Sequence, residues 1–394
     1  MAADRTQVAI IGAGPAGLTL AHILHHHGID SVVIERRDRA YVERRLRAGV
    51  LEQGTVDLFR ALGVSARLDR EGLVHHGINL QFEGERHRIA LNELTGGRVI
   101  TIYGQHEVVK DLIAARLAHD GPIAFEADDV TLHDLTSDRP SVRFRHDGRA
   151  RELQCDVIAG CDGSHGVSHS AVPIAERRIF GRAYPFSWLG ILAAVPPSLG
   201  EVVYAHHERG FALHSMRGPN VTRLYVQCPP DDALDSWPDE RVWLELKTRL
   251  STTDGWTVQE GPVLEKSITA LRSFVMEPMQ YGQLFLAGDA AHVVPPTGAK
   301  GMNLAVADAR VLGEALALWY RTGSGSGLAD YSATCLRRVW RAEHFSWSMT
   351  SMLHRFPETD GFDEKMQLSQ LRYVCSSPAA ATSLAENYVG LAHV

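Results

Sequence analysis

One stretch near the N-terminus leaves this chain little freedom of fold. Gln7-Val-Ala-Ile-Ile11 reads as a short buried strand, then comes Gly12-x-Gly14-x-x-Gly17, a helical pattern to about His27, and a second strand, Ser31-Val-Val-Ile-Glu35. Gly12 permits the tight turn, Gly14 lets a pyrophosphate approach the backbone, and Gly17 lets helix and strand pack closely. Glu35 follows Gly17 by 18 residues and is placed to accept from a ribose hydroxyl. A lone Gly-x-Gly-x-x-Gly is a weak signal. A strand before it, a helix after it and an acid closing the next strand make it the nucleotide-binding βαβ unit of an α/β fold.

Two later stretches repeat the strand-then-glycine-turn theme. Asp156-Val-Ile-Ala159 runs into Gly160-Cys-Asp162-Gly-Ser-His165, which reads as a second wall of the nucleotide cleft. Gln283-Leu-Phe-Leu-Ala287 leads into Gly288, Asp289, the stiff pair Pro295-Pro296, Gly298 and Gly301, and then a helix predicted from Met302 to about Leu318. Asp289 thus sits at a strand's carboxyl end, where open α/β sheets bind ligands, and the positive end of the following helix suits an electron-rich group. Beside the fingerprint, Arg36, Arg37, Arg39, Arg44, Arg45 and Arg47 crowd six guanidiniums into twelve positions, a surface suited to phosphate. Only one Gly-x-Gly-x-x-Gly exists, so a second dinucleotide has no Rossmann unit of its own and would dock transiently on this basic surface.

From about Phe180 to Ser273 the pattern changes to antiparallel strands broken by a helix near Pro238–Leu250. Gly210–Arg217 and Val221–Gln227 flank Gly218-Pro-Asn220, expected to be a three-residue hairpin loop. That loop would set Arg217 opposite Val221, Ser215 opposite Arg223 and Leu213 opposite Tyr225. Ser215, Arg217, Arg223 and Tyr225 would then share one sheet face, and a hydroxyl, two guanidiniums and a phenol there suit a carboxylate ligand. After the long helix, Leu328 to about Tyr388 is a run of helices with Trp340, Trp347, Met349 and Met352 at core-packing spacings.

Composition narrows the function. With 394 residues the chain should form two to three domains, and a net charge of −7 disfavours a general nucleic-acid binder. Five cysteines, with no Cys-x-x-Cys pair, read as free thiols of a reducing cytoplasm rather than a disulfide framework or zinc site. His22 and His26 have i, i+4 spacing but lack a third ligand, so they read as a polar helix end and no metal is expected. No apolar run approaches the ~20 residues that span a bilayer.

Several motifs coincide in this chain: Val8–Gly17, Arg47-Ala-Gly-Val-Leu-Glu-Gln-Gly54, Tyr103-Gly-Gln105, Cys161-Asp-Gly163, Arg209-Gly-Phe-Ala-Leu213, Leu286–Asn303 and Glu386-Asn-Tyr-Val-Gly390. Across nearly its whole length the sequence resembles the single-component aromatic flavoprotein monooxygenases, and among them those acting on 4-hydroxybenzoate. The resemblance implies a mixed α/β architecture with three parts. A Rossmann-like FAD domain takes residues 1–180 and 268–320, with 73–100 adding strands near the substrate. An antiparallel-sheet substrate domain takes 181–267, and a helical C-terminal region 321–394.

The same resemblance assigns roles. FAD would be held by Gly12, Gly14, Gly17, Glu35, Arg47, Gln105, Asp162, Asp289, Gly298 and Asn303. Ser215, Arg217 and Tyr225 would bind the substrate carboxylate and Arg223 would position substrate and flavin. Tyr204 and Tyr388 would contact the phenol and pass its proton outward through His75, with the Pro296 carbonyl facing the ring. NADPH or NADH would touch Arg36, Arg37, Tyr41, Arg45, His165 and Arg272; Arg37 stands where well-known members carry an amide and Ser164 where they carry an aromatic, which leaves the choice of nucleotide open. The implied reaction uses O2, through a flavin C4a-hydroperoxide, to convert 4-hydroxybenzoate to 3,4-dihydroxybenzoate, in a cytoplasmic homodimer. A related acid such as 3,4-dihydroxybenzoate as substrate, or a non-catalytic FAD redox carrier, are the rival readings.

Overall fold

Val8–Ile11 are buried on both sides of the strand, which is what a central parallel strand requires. In the computed structural model, which describes residues 4–45, 49–358 and 360–390, this strand lies within a six-stranded sheet. The order is Gln280–Tyr281, Leu284–Leu286, Val157–Gly160, Val8–Ile11, Ser31–Ile34, Ile123–Ala124, with only the first strand antiparallel to its neighbour. Gly160 pairs with both Ile11 and Leu286, so three strands end in line. Turns at residues 12, 161 and 288, far apart in sequence, therefore meet at one sheet edge.

The predicted elements appear with shifted ends. The first helix is Pro15–His26, and the helix after the proline turn runs Gly301–Thr322, starting one residue earlier and ending four later than expected. The two helices pack closely enough that a Cβ on Gly313 would lie 2.5 Å from Ile23 Cγ2. His22 is buried with Nε2 2.8 Å from the Leu112 carbonyl, a core position rather than the polar helix end expected from the sequence.

An eight-stranded mixed sheet carries the order His292–Val293, Val263–Glu277, Arg178–Ala193, Val221–Cys228, Ala212–Gly218, Val203–Ala205, Ile78–Phe82, Glu85–Ile89. Strands Arg178–Ala193 and Val263–Glu277 pair along most of their length and run across positions 180/181 and 267/268, so the sheet continues through both expected domain boundaries. Its pleat divides two cores. Leu189, Ile191, Val203, Ala205, Ala212 and Leu224 face the helix Asp239–Leu250, which contributes Val242, Trp243 and Leu246. Phe186, Trp188, Tyr204, Phe211 and Leu213 face the C-terminal helices instead, packing with Met349, Leu353, Leu384 and Tyr388.

The hairpin loop corrects the sequence reading. Gly218 pairs with Val221 across a two-residue loop, and Arg217 is the extra residue of a bulge between Met216 and Gly218. Pro219 fixes a negative φ and so forbids the type I′ or II′ turn that a plain two-residue hairpin prefers; the adjacent bulge absorbs the mismatch. A one-residue slip alone would have turned every side chain to the other face. The bulge cancels the slip, so Ser215 still pairs with Arg223 and Leu213 with Tyr225. No helix among the described residues is long and apolar enough to cross a membrane.

Candidate active site

The three fingerprint glycines do different work. Gly12 has φ +105° and a Cβ there would lie 2.5 Å from the Cys161 carbonyl oxygen; on Gly17 it would lie 2.1 Å from the Gly12 oxygen. Gly14 meets no atom within 4 Å. Two glycines thus serve packing, while the third leaves backbone open at the helix N-terminus, where a pyrophosphate fits. The Glu35 carboxylate accepts the Ala13 and Arg37 N–H groups, each at 2.8 Å, which holds it at the rim of this loop. Asp289 is exposed on the Gly288–Ala290 turn of the same edge.

Other cofactor candidates sit nearby with part of their capacity used. Asp162 Oδ2 accepts the N–H groups of Val167 (2.6 Å) and Ser168 (3.0 Å), closing its own glycine turn, and burial raises its carboxyl above the usual range. Its Oδ1 has no protein partner. Gln105 opens the helix Gln105–Ala118. Arg47 lies outside the described residues; Gly49 packs against Gly104, a Cβ on it falling 2.8 Å from the Gly104 Cα. Gly298 is locked under the helix Tyr331–Leu353, its Cβ position 2.4 Å from Ser346 Oγ, and Pro296 beside it is exposed.

Asn303 spends its whole amide on the protein. Its oxygen accepts from Glu52 N and Thr55 Oγ1, both 2.9 Å, and its nitrogen donates to the Val50 and Ala299 carbonyls at 2.9 and 3.0 Å. The side chain therefore ties the proline turn to the Val50–Glu52 strand and leaves only the backbone N–H for a ligand. Asn303→Ala should destabilise the protein by about 2–4 kcal/mol, because two donors and two acceptors lose their partner. Urea unfolding of the apoprotein measures it; a change below ~0.5 kcal/mol would mean that water takes over these bonds.

The substrate candidates converge on the aromatic face of the mixed sheet. Pairings run Leu80 to Tyr204, Tyr204 to Leu213, Leu213 to Tyr225 and Tyr225 to Gly190, one row across five strands. Ser215 and Arg223 form the adjoining row, and Arg217 stands at the bulge. The Arg223 guanidinium lies 4.9 Å from the Tyr225 ring centroid. Burial opposes ionisation of the Tyr225 phenol, but Arg223 and Arg217 outweigh it and hold its pKa below the usual tyrosine value. Trp188 supports Tyr225 from behind at 4.9 Å and donates its indole N–H to His354 at 2.7 Å.

Above this row, Tyr204 Oη and Tyr388 Oη stand 2.5 Å apart, both side chains almost fully buried. Burial pushes both phenols above their ordinary pKa; the bond to Tyr388 partly offsets this at Tyr204. His75 is buried, and both its ring nitrogens lack a protein partner, so the hydrogen-bonded pair does not extend to it in this structure. Burial lowers the His75 pKa to about 4, against the pull of Glu201, which leaves a neutral imidazole at pH 7.

The nucleotide candidates are on the surface. Arg36, Arg37 and Arg45 are exposed, with Arg37 5.0 Å from the ring centroid of half-buried Tyr41. His165 and Arg272 are exposed on other elements, the turn after Val157–Gly160 and the strand Val263–Glu277.

The chain is similar to known proteins. The model of the family described as "FAD binding domain" matches residues 5–346. The p-hydroxybenzoate hydroxylase of Acinetobacter baylyi (strain ATCC 33305 / BD413 / ADP1) is 49% identical over 98% of this chain and 96% of its own length. The chain belongs to the FAD-dependent aromatic monooxygenases. A 3-(3-hydroxy-phenyl)propionate/3-hydroxycinnamic acid hydroxylase of Mycobacterium sp. (strain JLS) is 26% identical over 82% of the chain, which spans 56% of that protein. Among solved structures, p-nitrophenol 4-monooxygenase PnpA from Pseudomonas putida DLL-E4 superposes with a TM-score of 0.82 at 18% identity, covering 99% of this chain and all of the other, a likeness of fold.

For an FAD-dependent monooxygenase, the open Gly14 backbone, the Glu35 rim and the exposed Asp289 turn fit the dinucleotide. Three features of the site were not singled out from sequence. Buried Lys300 donates to Glu52 at 2.6 Å and to the Tyr388 carbonyl at 3.0 Å, tying the proline turn to the C-terminal helix that carries Tyr388. Buried Asp308 accepts the Gly288 N–H at 3.0 Å and lies 2.6 Å from His292 Nε2, bracing the Asp289 turn. Gly190 leaves room for Arg223 and Tyr225, since a Cβ there would lie 2.6 Å from an Arg223 nitrogen and 3.1 Å from the Tyr225 ring.

A glycine inside a long strand is the legible signal for that last feature. Gly190→Ala should cost about 1–3 kcal/mol of aromatic-acid binding by displacing Arg223, roughly a 5- to 150-fold rise in Kd, with FAD content unchanged. Titration through the flavin spectrum checks this, and an unaltered Kd would show that Arg223 does not need its present position.

Proposed function

We propose that this chain hydroxylates 4-hydroxybenzoate at the 3-position, taking electrons from NADPH or NADH and oxygen from O2. The observation that carries the reading is the spacing of two chemistries on one sheet row. Tyr225, beside Arg217, Arg223 and Ser215, is two strands from Tyr204, about 10 Å at the backbone, with Leu213 between them. A para-hydroxylated benzoate bridges such a gap, with its carboxylate on the guanidiniums and its phenol on Tyr204. A meta or ortho isomer would turn its hydroxyl away from the tyrosine.

Bound FAD, reduced by NAD(P)H, supplies the activated oxygen. The chain's own part is to orient the acid through Ser215, Arg217 and Tyr225, and to withdraw the phenol proton into the Tyr204–Tyr388 pair, which makes the ring nucleophilic. Neutral His75 offers an acceptor further out, reached when the buried groups reorganise. The Pro296 carbonyl faces the ring, and the apolar surroundings of Leu80, Leu213 and Phe211 exclude water. Arg36, Arg37, Tyr41, Arg45, His165 and Arg272 receive the nicotinamide nucleotide. Residues 1–180 and 268–320 act as the cofactor part, 181–267 as the substrate part and 321–394 as the helical cover, in a cytoplasmic homodimer.

Anaerobic mixing of the FAD-loaded protein with NADPH or NADH tests this. We expect 4-hydroxybenzoate to accelerate flavin reduction, and 3,4-dihydroxybenzoate to appear on admission of air. Acceleration and product from 3,4-dihydroxybenzoate instead would move the substrate to that acid. No aromatic-dependent acceleration would return the chain to a redox carrier.

A further inference from the structure

Where the helix Tyr331–Leu353 crosses the strands Arg178–Ala193 and Val263–Glu277, the protein has a cleft of roughly 340 Å³ that the reaction above does not use. Phe180, Tyr184, Trp340 and Trp347 form its walls, with Arg182 at the rim. The strands lose register between Ala183 and Ser187, a bulge that re-aims Tyr184 beside the cleft. Phe180, Trp340 and Trp347 remain 43%, 41% and 39% exposed, an unusual investment of large aromatics in surface.

At the base lies Glu343, only 5% exposed, with its Oε1 lacking any hydrogen-bond partner. Burial raises its carboxyl to about 7, against the pull of the Ser273 hydroxyl, His292 and the Phe274 N–H. Near neutral pH it therefore presents either an O–H donor or an acceptor to whatever enters. A buried carboxyl oxygen left unpaired is costly, and aromatic walls with one cation and one hydrogen-bonding acid make a recognisable set of contacts.

We propose that this cleft is a second ligand site, separate from the Tyr204–Arg217 face, for a planar aromatic carboxylate. The ring lies among Phe180, Trp340 and Trp347, the carboxylate pairs with Arg182 at the rim, and a ring oxygen reaches Glu343. Anionic rather than cationic ligands fit because Arg182 already stands 5.8 Å from the Tyr184 ring centroid and would repel a second cation.

Equilibrium dialysis of the FAD-loaded protein with radiolabelled 4-hydroxybenzoate, without NAD(P)H, decides the matter. Two molecules per chain are expected. Trp347 forms a wall of the cleft and is 39% exposed, so Trp347→Ala should remove the ring contact with little cost to folding and leave one. The flavin spectral change, which reads the Tyr204–Arg217 face alone, should be unaltered in that variant. Arg182→Ala should weaken the second class of binding at least about tenfold and keeps the test open should Trp347→Ala not fold. One molecule per chain in the unmodified protein, or two persisting in Trp347→Ala, would overturn the proposal without touching the hydroxylase reading.

Discussion

Tyr204→Phe is expected to lower hydroxylation by about 10²- to 10³-fold, while the Kd for 4-hydroxybenzoate changes by no more than about threefold. The hydroxyl is needed in one state and not the other. In the proposed pose the acid is held in the ground state chiefly by its carboxylate, on Ser215 and Arg217 one strand from Tyr204 and on Arg223 and Tyr225 two strands away. The Tyr204 oxygen matters when the ring must be made electron-rich, because the phenol proton has to leave at that moment. With Tyr388 2.5 Å beyond it, Tyr204 can accept that proton while handing on its own, so neither buried phenol carries a lasting charge. Phe keeps the ring packing against Phe211 and removes only the oxygen. Flavin reduction should persist, so NAD(P)H consumption without stoichiometric 3,4-dihydroxybenzoate is the signature. Turnover to product within twofold of the unmodified protein would sink the relay, and a Kd raised as much as turnover falls would make Tyr204 a binding residue only.

Much of this was legible from local pattern, and the residues say why. The Gly12–Gly17 fingerprint was readable because its sterics are local: Gly12 and Gly17 answer to neighbours within the same βαβ unit or on the strand beside it, and Gly14 leaves its backbone open. The sheet face bearing Ser215, Arg223 and Tyr225 was readable because strand periodicity fixes it. The loop itself was misread, since twist compatibility at Pro219, and not residue count, set the number of loop residues. Lys300 with Glu52, and His292 with Asp308, escaped notice for another reason. Glu52 lies 248 residues from Lys300 in sequence, and a lysine at a glycine-rich turn looks like a surface charge until the fold buries it. Gly190 was overlooked because its role depends on the length of an arginine two strand positions away on the neighbouring strand.

The bulge that upset the loop reading makes Arg217 the second decisive test. Left unpaired in the ladder, Arg217 is freed from strand geometry, and its guanidinium donates to the Met216 carbonyl at 2.9 Å and to the Tyr225 phenol. Burial lowers its pKa, yet an arginine stays protonated, so it is a half-buried cation whose remaining N–H donors call for an anion. Arg223 is more constrained, wedged above Gly190 and beside Tyr225. Arg217 therefore should carry the directional contact to the carboxylate and Arg223 the general positive field. Arg217→Ala is expected to raise the Kd of 4-hydroxybenzoate by about 10²-fold, near 3 kcal/mol. Arg217→Lys should recover only part of this, because a point ammonium cannot reproduce a two-pronged bond. The rate of hydroxylation at saturating substrate should fall far less than in Tyr204→Phe, which separates anchoring from proton transfer. Both constants come from one experiment, a flavin-monitored titration followed by single-turnover product analysis. An Arg217→Ala protein that binds the acid as tightly as before, with Arg223→Ala losing binding, would transfer the carboxylate to Arg223 and leave the bulge without a chemical purpose.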